Sequence, residues 1–345
     1  MSRYLLNCWY VAAWESELGD AEPLPRTIIN EPIVLYRRSD RSVVALENRC
    51  PHRHTALSAG RIEGDDLRCM YHGLKFNSAG RCIDAPGCAQ IPPRLSARAF
   101  PVARRWNWIW VWMGEPARAD ESLIPDAYGL DNPRWIMRSG ALDYAADYQL
   151  LHDNLLDLSH LDYVHERTLA VATGARWVSI EPQIRELPQG LEITRWLRGN
   201  IVSPARPDPA DTLNQYTFTL PGIFVMRTAS YPKGAADDFE RGMPLPAPLV
   251  ERAEQQAVTP IGDGRSRYLY ANGIAATNAE KVALEGMFSV ITAAFAEDKR
   301  MIETQQAIWD ATPAERRKAF LPGDRAPTMF RKMISERIKA EESAT

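Results

Sequence analysis

The chain has 345 residues, long for one domain and comfortable for two. Apolar residues make up 45% and charged residues 25%, ordinary values for a globular protein, and the net charge of −3 gives no electrostatic pull toward nucleic acid or an anionic membrane. No run of eighteen apolar residues occurs, and residues 1–8 show neither an apolar core nor a small-residue cleavage site, so a transmembrane helix and a signal peptide are not expected and the cytoplasm is the expected location.

The first 115 residues read as short strands separated by turns. Residues 33–36 and 43–46 are apolar, β-branched runs around a polar 37–42, a hairpin signal. Residues 77–80 form a turn, and Gly73 breaks the chain before them. Trp106, Trp108, Trp110 and Trp112 alternate with Asn107, Ile109, Val111 and Met113, which predicts one strand with all four tryptophans on one face. Both faces of that run are largely apolar, so a buried strand is favoured over an aromatic ligand face. Residues 114–125 are polar and turn-rich, and a boundary is expected there, giving domains 1–120 and 121–345.

The second part starts with a helix-like stretch at 147–161. A proline-rich section follows, with strand-like runs at 192–197, 215–220, 223–226 and 267–271. A long helix is predicted over 278–312, with shorter ones at 314–319 and 329–339. Strands first, then a sheet with long helices, indicate an α+β chain.

Four residues among the early strands carry chemistry. Cys50-Pro51-His52 is followed after sixteen residues by Cys69-Met70-Tyr71-His72. Each loop offers one sulfur and one nitrogen, the ligand set of a Rieske [2Fe–2S] cluster, in which two thiolates hold one iron and two imidazoles the other. A Cys2His2 zinc site uses the same ligand types but usually puts both cysteines in one loop. With six histidines and five cysteines in the whole chain, the spacing is hard to obtain by accident. Cys8, Cys82 and Cys88 are left as small hydrophobes or free thiols.

A second constellation lies in 154–165. His160 and His165 are five residues apart, about 140° on a regular helix, so one ion can take both only where the helix ends or loosens between them. Asp157, one turn before His160, is placed to bond an imidazole or reach a neighbouring subunit. In the last long helix, Leu284, Met287, Phe288, Ile291, Phe295, Ile302 and Trp309 form an apolar stripe that contains Asp298. A carboxylate on such a stripe needs a partner, either an arginine such as Arg300 or a metal. Two histidines and one carboxylate make the facial triad of non-haem Fe(II). Glu297 points off the stripe and is the fallback ligand. Arg195, Arg198 and Arg227 lie near the later strands and are candidates to hold a substrate anion, or else surface charges.

These motifs together resemble the oxygenase components of Rieske non-haem iron oxygenases, over essentially the whole chain. Asn7-Cys8-Trp9-Tyr10-Val11-Ala12, Tyr71-His72-Gly73-Leu74-Lys75-Phe76 and Glu297-Asp298 are similar to the branch of vanillate and dicamba O-demethylases and toluenesulfonate methyl-monooxygenases. The resemblance implies an all-β Rieske domain followed by a helix-grip-like domain of antiparallel sheet and helices. It implies that Cys50, His52, Cys69 and His72 hold the [2Fe–2S] cluster and that His160, His165 and Asp298 hold a mononuclear Fe(II). Asp157 would bridge to a cluster histidine of the next subunit in a head-to-tail homotrimer, and Asn154, where other branches carry an acid, would be a pocket residue or a support for the ligands. Electrons would come from NAD(P)H through a separate reductase carrying a flavin and a ferredoxin-type [2Fe–2S] centre. O2 would be the co-substrate, and a methyl or methoxy group of a small, acidic aromatic molecule the target. The alternatives are cis-dihydroxylation of an aromatic ring and a Rieske electron carrier joined to a ligand-binding domain without catalysis. His54 departs from the small residue often found beside the cluster.

Overall fold

The structure, a computed structural model, describes residues 3–169, 176–202, 208–278, 281–313, 316 and 319–343, with 281–284 by backbone only. The chain forms two compact units. The first runs to Ile124 and takes in Thr259–Asp263 and the residues from Ile338; the second comprises Pro125–Val258 and Gly264–Arg337.

The first unit is built from short strands: β1 (Trp9–Trp14), β2 (Leu24–Ile28), β3 (Glu31–Arg37), β4 (Val43–Glu47), β5 (Arg61–Glu63), β6 (Asp66–Arg68), β7 (Lys75–Phe76), β8 (Cys82–Asp84), β9 (Ala99–Phe100), β10 (Val102–Arg105) and β11 (Trp108–Trp112). They make three antiparallel sheets, ordered β1-β11-β10, β2-β3-β4-β9 and β5-β6-β7-β8. The hairpin expected from 33–36 and 43–46 is β3–β4, with Leu35 opposite Ala45. Every residue of β11 is buried, and its end tryptophans sit opposite Trp9 and Trp14, with ring centroids 5.4 and 5.2 Å apart. Burying each such side chain contributes about 1.5–3 kcal/mol. The four-tryptophan face needs correction. Trp106 and Asn107 have φ of 61° and 62° and form the two-residue turn between Arg105 and Trp108. Two consecutive positive φ values suit the right-handed twist of a tight hairpin, so the strand begins only at Trp108.

The second unit is organised on a seven-stranded antiparallel sheet: β12 (Trp135–Tyr144), β13 (Gln183–Leu187), β14 (Gly190–Asn200), β15 (Ala210–Thr219), β16 (Ile223–Pro232), β17 (Val250–Gly262) and β18 (Arg265–Ala275), ordered β12-β18-β17-β16-β15-β14-β13. β12, β13 and β17 are not legible as strands in the sequence. β17 carries polar residues on both faces and includes Pro260, and β12 has Arg138, Ser139 and Gly140 at its centre. Gly140 lies opposite Tyr270, and a Cβ there would meet the tyrosine ring at 2.4 Å.

The helices are α1 (Tyr148–Leu156), α2 (Leu161–Val164), α3 (Ala235–Glu240), α4 (Lys281–Ala311) and α5 (Arg325–Ser343). The helix expected over 147–161 is therefore interrupted, with Asp147 as its N-cap and α1 ending at Leu156. The long helix α4 falls within the predicted 278–312. Phe295 on its apolar stripe packs against Tyr268 and Tyr270 of β18, at 5.4 and 4.5 Å between ring centroids. The last helix outruns its predicted 329–339, and most of the helix expected over 314–319 lies outside the described residues. No described helix is long and apolar enough to cross a membrane.

Candidate iron centres and cavity

The two Cys-His loops of the first unit are built alike. Cys50 N–H donates to Thr55 O, and the Cys50 carbonyl accepts from His54 N–H, both at 2.8 Å. Cys69 repeats this with Leu74 O at 2.8 Å and Gly73 N–H at 3.0 Å. Both cysteines belong to one apolar cluster with Leu57, Leu67, Leu74 and Phe76, whereas His52 and His72 are exposed, their rings 4.5 Å apart. Gly73 has φ of 77°, and a Cβ there would meet Pro86 Cγ at 2.9 Å, so the second loop requires glycine on both counts. His54 also turns with positive φ, 58°, a conformation that glycine, lacking a Cβ, would hold more easily. Burial pushes the Cys50 thiol up to about 11, and the Cys69 thiol beside it adds to the rise. Two adjacent buried sulfurs and two surface imidazoles fit a Rieske cluster, with thiolates inside and histidines at the surface where electrons are exchanged.

In the second unit the break after α1 decides the geometry. Asp157 leaves the helix at φ −114°, ψ 94°, and its Oδ1 accepts from Ser159 N–H at 2.9 Å, starting a single 3-10 turn over Leu158–His160. His165 follows α2 directly, so the 140° separation of an unbroken helix is lost and the two imidazoles meet edge to face, centroids 5.4 Å apart. His160 Nδ1–H donates to the Asp157 carbonyl at 2.6 Å. His165 Nδ1–H donates to Glu297 Oε2 at 2.9 Å, and Thr168 Oγ1–H donates to the same oxygen at 2.8 Å. Both Nε2 atoms are thereby left as lone-pair donors, and they lie 3.6 and 3.3 Å from Asp298 Oδ1.

The ligand atoms of His160, His165 and Asp298 all lie within 4.8 Å of one another, a group able to hold a metal ion. Asp298 is only 6% exposed and His165 only 1%, and no lysine or arginine among the described residues pairs with Asp298, the alternative partner Arg300 included. A buried carboxylate without a cation is costly. Burial works against protonation of His165, but Asp298 and Glu297 outweigh it and push its pKa up; burial holds His160 down. Asn154 points its amide at the same spot, with Nδ2 3.1 Å from Asp298 Oδ1 and 3.3 Å from His160 Nε2, so an N–H dipole stands where a cation would be stabilised. The donor set and the orienting bonds on both Nδ1 atoms fit a mononuclear non-haem iron.

The site departs from expectation in two supporting contacts. The Asp157 carboxylate does not touch His160; its backbone carbonyl does. Glu297, the fallback ligand, instead orients His165, which its position one residue off the stripe permitted. Changing Glu297 to Gln keeps an acceptor but removes the charge, and Fe(II) binding is expected to weaken about 10- to 100-fold, read as iron retained against a chelator.

His160, His165 and Asp298 sit on the wall of a cavity of about 870 Å³. Its other walls include α4, through Met287, Ile291 and Phe295, and the sheet from β14 to β18. None of the three candidate arginines lines it. Arg195 is buried and donates to Tyr216 Oη at 3.0 Å. Arg198 pairs with Asp237 and Glu240, and Arg227 with Glu251. The arginine that does reach the cavity is Arg252 on the unforeseen strand β17, accompanied by Glu254 and Gln256.

Comparison with known proteins decides what these centres belong to. Residues 8–100 match the Rieske [2Fe-2S] domain and residues 144–340 the vanillate O-demethylase oxygenase C-terminal domain. The chain belongs to the Rieske non-haem iron oxygenases. The oxygenase is 36% identical to the toluene-4-sulfonate monooxygenase system iron-sulfur subunit TsaM1 of Comamonas testosteroni, over 99% of each chain. It superposes on dicamba monooxygenase bound to dicamba with a TM-score of 0.86 at 29% identity, over 99% of each chain. A second structure of that enzyme, with non-heme iron and dicamba, gives 0.82 at 27% identity, again over 99% of each. The oxygenase therefore uses a Rieske [2Fe–2S] cluster and a mononuclear iron, and it is the oxygenase component of a multicomponent monooxygenase that takes electrons from a separate reductase.

Proposed function

We propose that the oxygenase hydroxylates a methyl or methoxy group on a small aromatic acid, giving a hydroxymethyl product or, from a methoxy group, a phenol and formaldehyde. Cys50, His52, Cys69 and His72 hold the cluster, and His160, His165 and Asp298 hold the mononuclear iron. The observation that carries this reading is the convergence of His160 Nε2, His165 Nε2 and Asp298 Oδ1 on the wall of a cavity large enough for an aromatic ring. What the iron supplies when bound is activation of O2 for insertion into a C–H bond. The chain's own residues do the rest. Asp157 O and Glu297 fix the imidazoles, Asn154 supports the carboxylate, and the apolar face of α4 excludes water and positions the ring.

The working form is a head-to-tail homotrimer in which Asp157 links His160 to a cluster histidine of the adjacent subunit. Asp157 is partly exposed; its Oδ2 has no hydrogen-bond partner among the described residues and lies against Gly323, where a Cβ would come within 2.4 Å of it. The reductase is read as carrying a flavin and a ferredoxin-type cluster and drawing on NAD(P)H, and the location as cytoplasmic. The test is iron analysis together with turnover of methoxylated aromatic acids under a surrogate reductase. The expected result is two iron populations, about three atoms per chain, with formaldehyde formed as O2 is consumed. Only cluster iron would make the chain an electron carrier, and a cis-diol product would make it a ring dihydroxylase.

A further inference from the structure

The cavity's sheet-side wall carries a guanidinium that makes no ion pair within 4 Å among the described residues. On β17, Arg252, Glu254 and Gln256 alternate onto one face and all three line the cavity. Arg252 lies directly across from Thr228 on β16, and Thr228 lies across from Asn214 on β15, so a polar row crosses an otherwise largely apolar chamber. The Arg252 Nε is buried without a hydrogen-bond partner, and its guanidinium makes no ion pair within 4 Å among the described residues. Asn272 of the adjacent strand β18 also faces the cavity, and its Nδ2 is likewise buried without an acceptor. The third group of the row is already spent, because Thr228 Oγ1–H donates to Asn214 Oδ1 at 2.8 Å.

A guanidinium stays charged in a protein, and an unpaired one at the edge of an apolar chamber is unfavourable until an anion joins it. Glu254, two residues along, acts on Arg252 through space and makes no hydrogen bond or ion pair with it. It takes its bond from Gln256 Nε2 at 3.1 Å, and burial pushes its pKa up to about 7, against the pull of Arg252. Two idle donors, Arg252 and Asn272, thus face the chamber whose wall also carries the iron ligands.

We infer that Arg252, with Asn272 beside it, binds the acidic group of the substrate and so presents the rest of the ring to the iron. The bound group is a planar carboxylate or a sulfonate, held through the guanidinium's paired N–H groups. This deepens the proposed function and rests on its reading of the cavity as an aromatic-acid site.

The test is calorimetric binding to the iron-loaded oxygenase without reductant, using 4-methoxybenzoate, 4-methoxybenzenesulfonate and neutral 4-methylanisole. Arg252→Gln is expected to weaken both acids about 30-fold or more while leaving 4-methylanisole unchanged, and Arg252→Lys to recover part of the loss. Unchanged binding of 4-methylanisole also shows that the variant is folded. If the wild type binds the acids but Arg252→Gln binds them equally well, the anchor is wrong, while the proposed function, read separately from turnover with a reductase, stands. If the wild type binds none of the three, the reading of the cavity fails and the anchor with it.

Discussion

Replacing Asp298 with alanine is expected to strip the mononuclear iron from the oxygenase while the visible spectrum of the cluster persists. Asp298 Oδ1 is the point toward which both Nε2 atoms are directed, 3.6 and 3.3 Å away, and it is the anionic member of the group. Losing a support such as a second hydrogen bond costs about 10- to 100-fold in metal affinity, so losing a ligand is expected to exceed the upper figure. Turnover falls with iron occupancy. The fold should survive, because removing a buried carboxylate that lacks a fixed cation relieves a cost in the metal-free protein. The measurement is iron content alongside the cluster's absorbance. Iron retained at three atoms per chain would remove Asp298 from the ligand set, and loss of the cluster together with the iron would point to misfolding.

Asp157→Asn is expected to leave both metal centres loaded and slow the passage of electrons between them. The local turn survives, since an asparagine oxygen can still accept from Ser159 N–H, and the contact to His160 comes from the backbone carbonyl. What disappears is the negative charge beside His160. A charge-assisted contact is worth about 1.5–3 kcal/mol, which corresponds to about 10- to 150-fold in rate if the contact is needed for transfer. Single-turnover oxidation of the reduced cluster in the presence of substrate and O2 reads this directly. An unchanged rate with full metal content would dismiss the bridge, and a second measurement on mixed subunits, one carrying Asp157→Asn and the other lacking cluster ligands, would show whether transfer crosses between chains.

The parts of this protein that were legible in the sequence are those set by local spacing. Cys50, His52, Cys69 and His72 stand out because each pair sits within one tight loop, and the proposed cluster ligands are the residues those two loops supply. The apolar stripe of α4 likewise placed Asp298 on the inward face, since a helix's periodicity is local. Where pairing across the sheet decides, the reading failed. β17 hides its strand character behind polar residues on both faces, so Arg252, Glu254 and Gln256 went unseen, and the arginines noticed instead are tied to Tyr216, Asp237, Glu240 and Glu251.

The sequence by itself determined the two Cys-His loops, the order of the two parts and the identity of the residues that converge on the second site. Only the tertiary structure decided how they converge. His160 and His165 share a site because a side-chain cap from Asp157 ends α1 and starts a new turn, a choice that no five-residue spacing dictates. Which charged groups face the cavity is fixed by strand register, and register depends on partners tens of residues away in the chain.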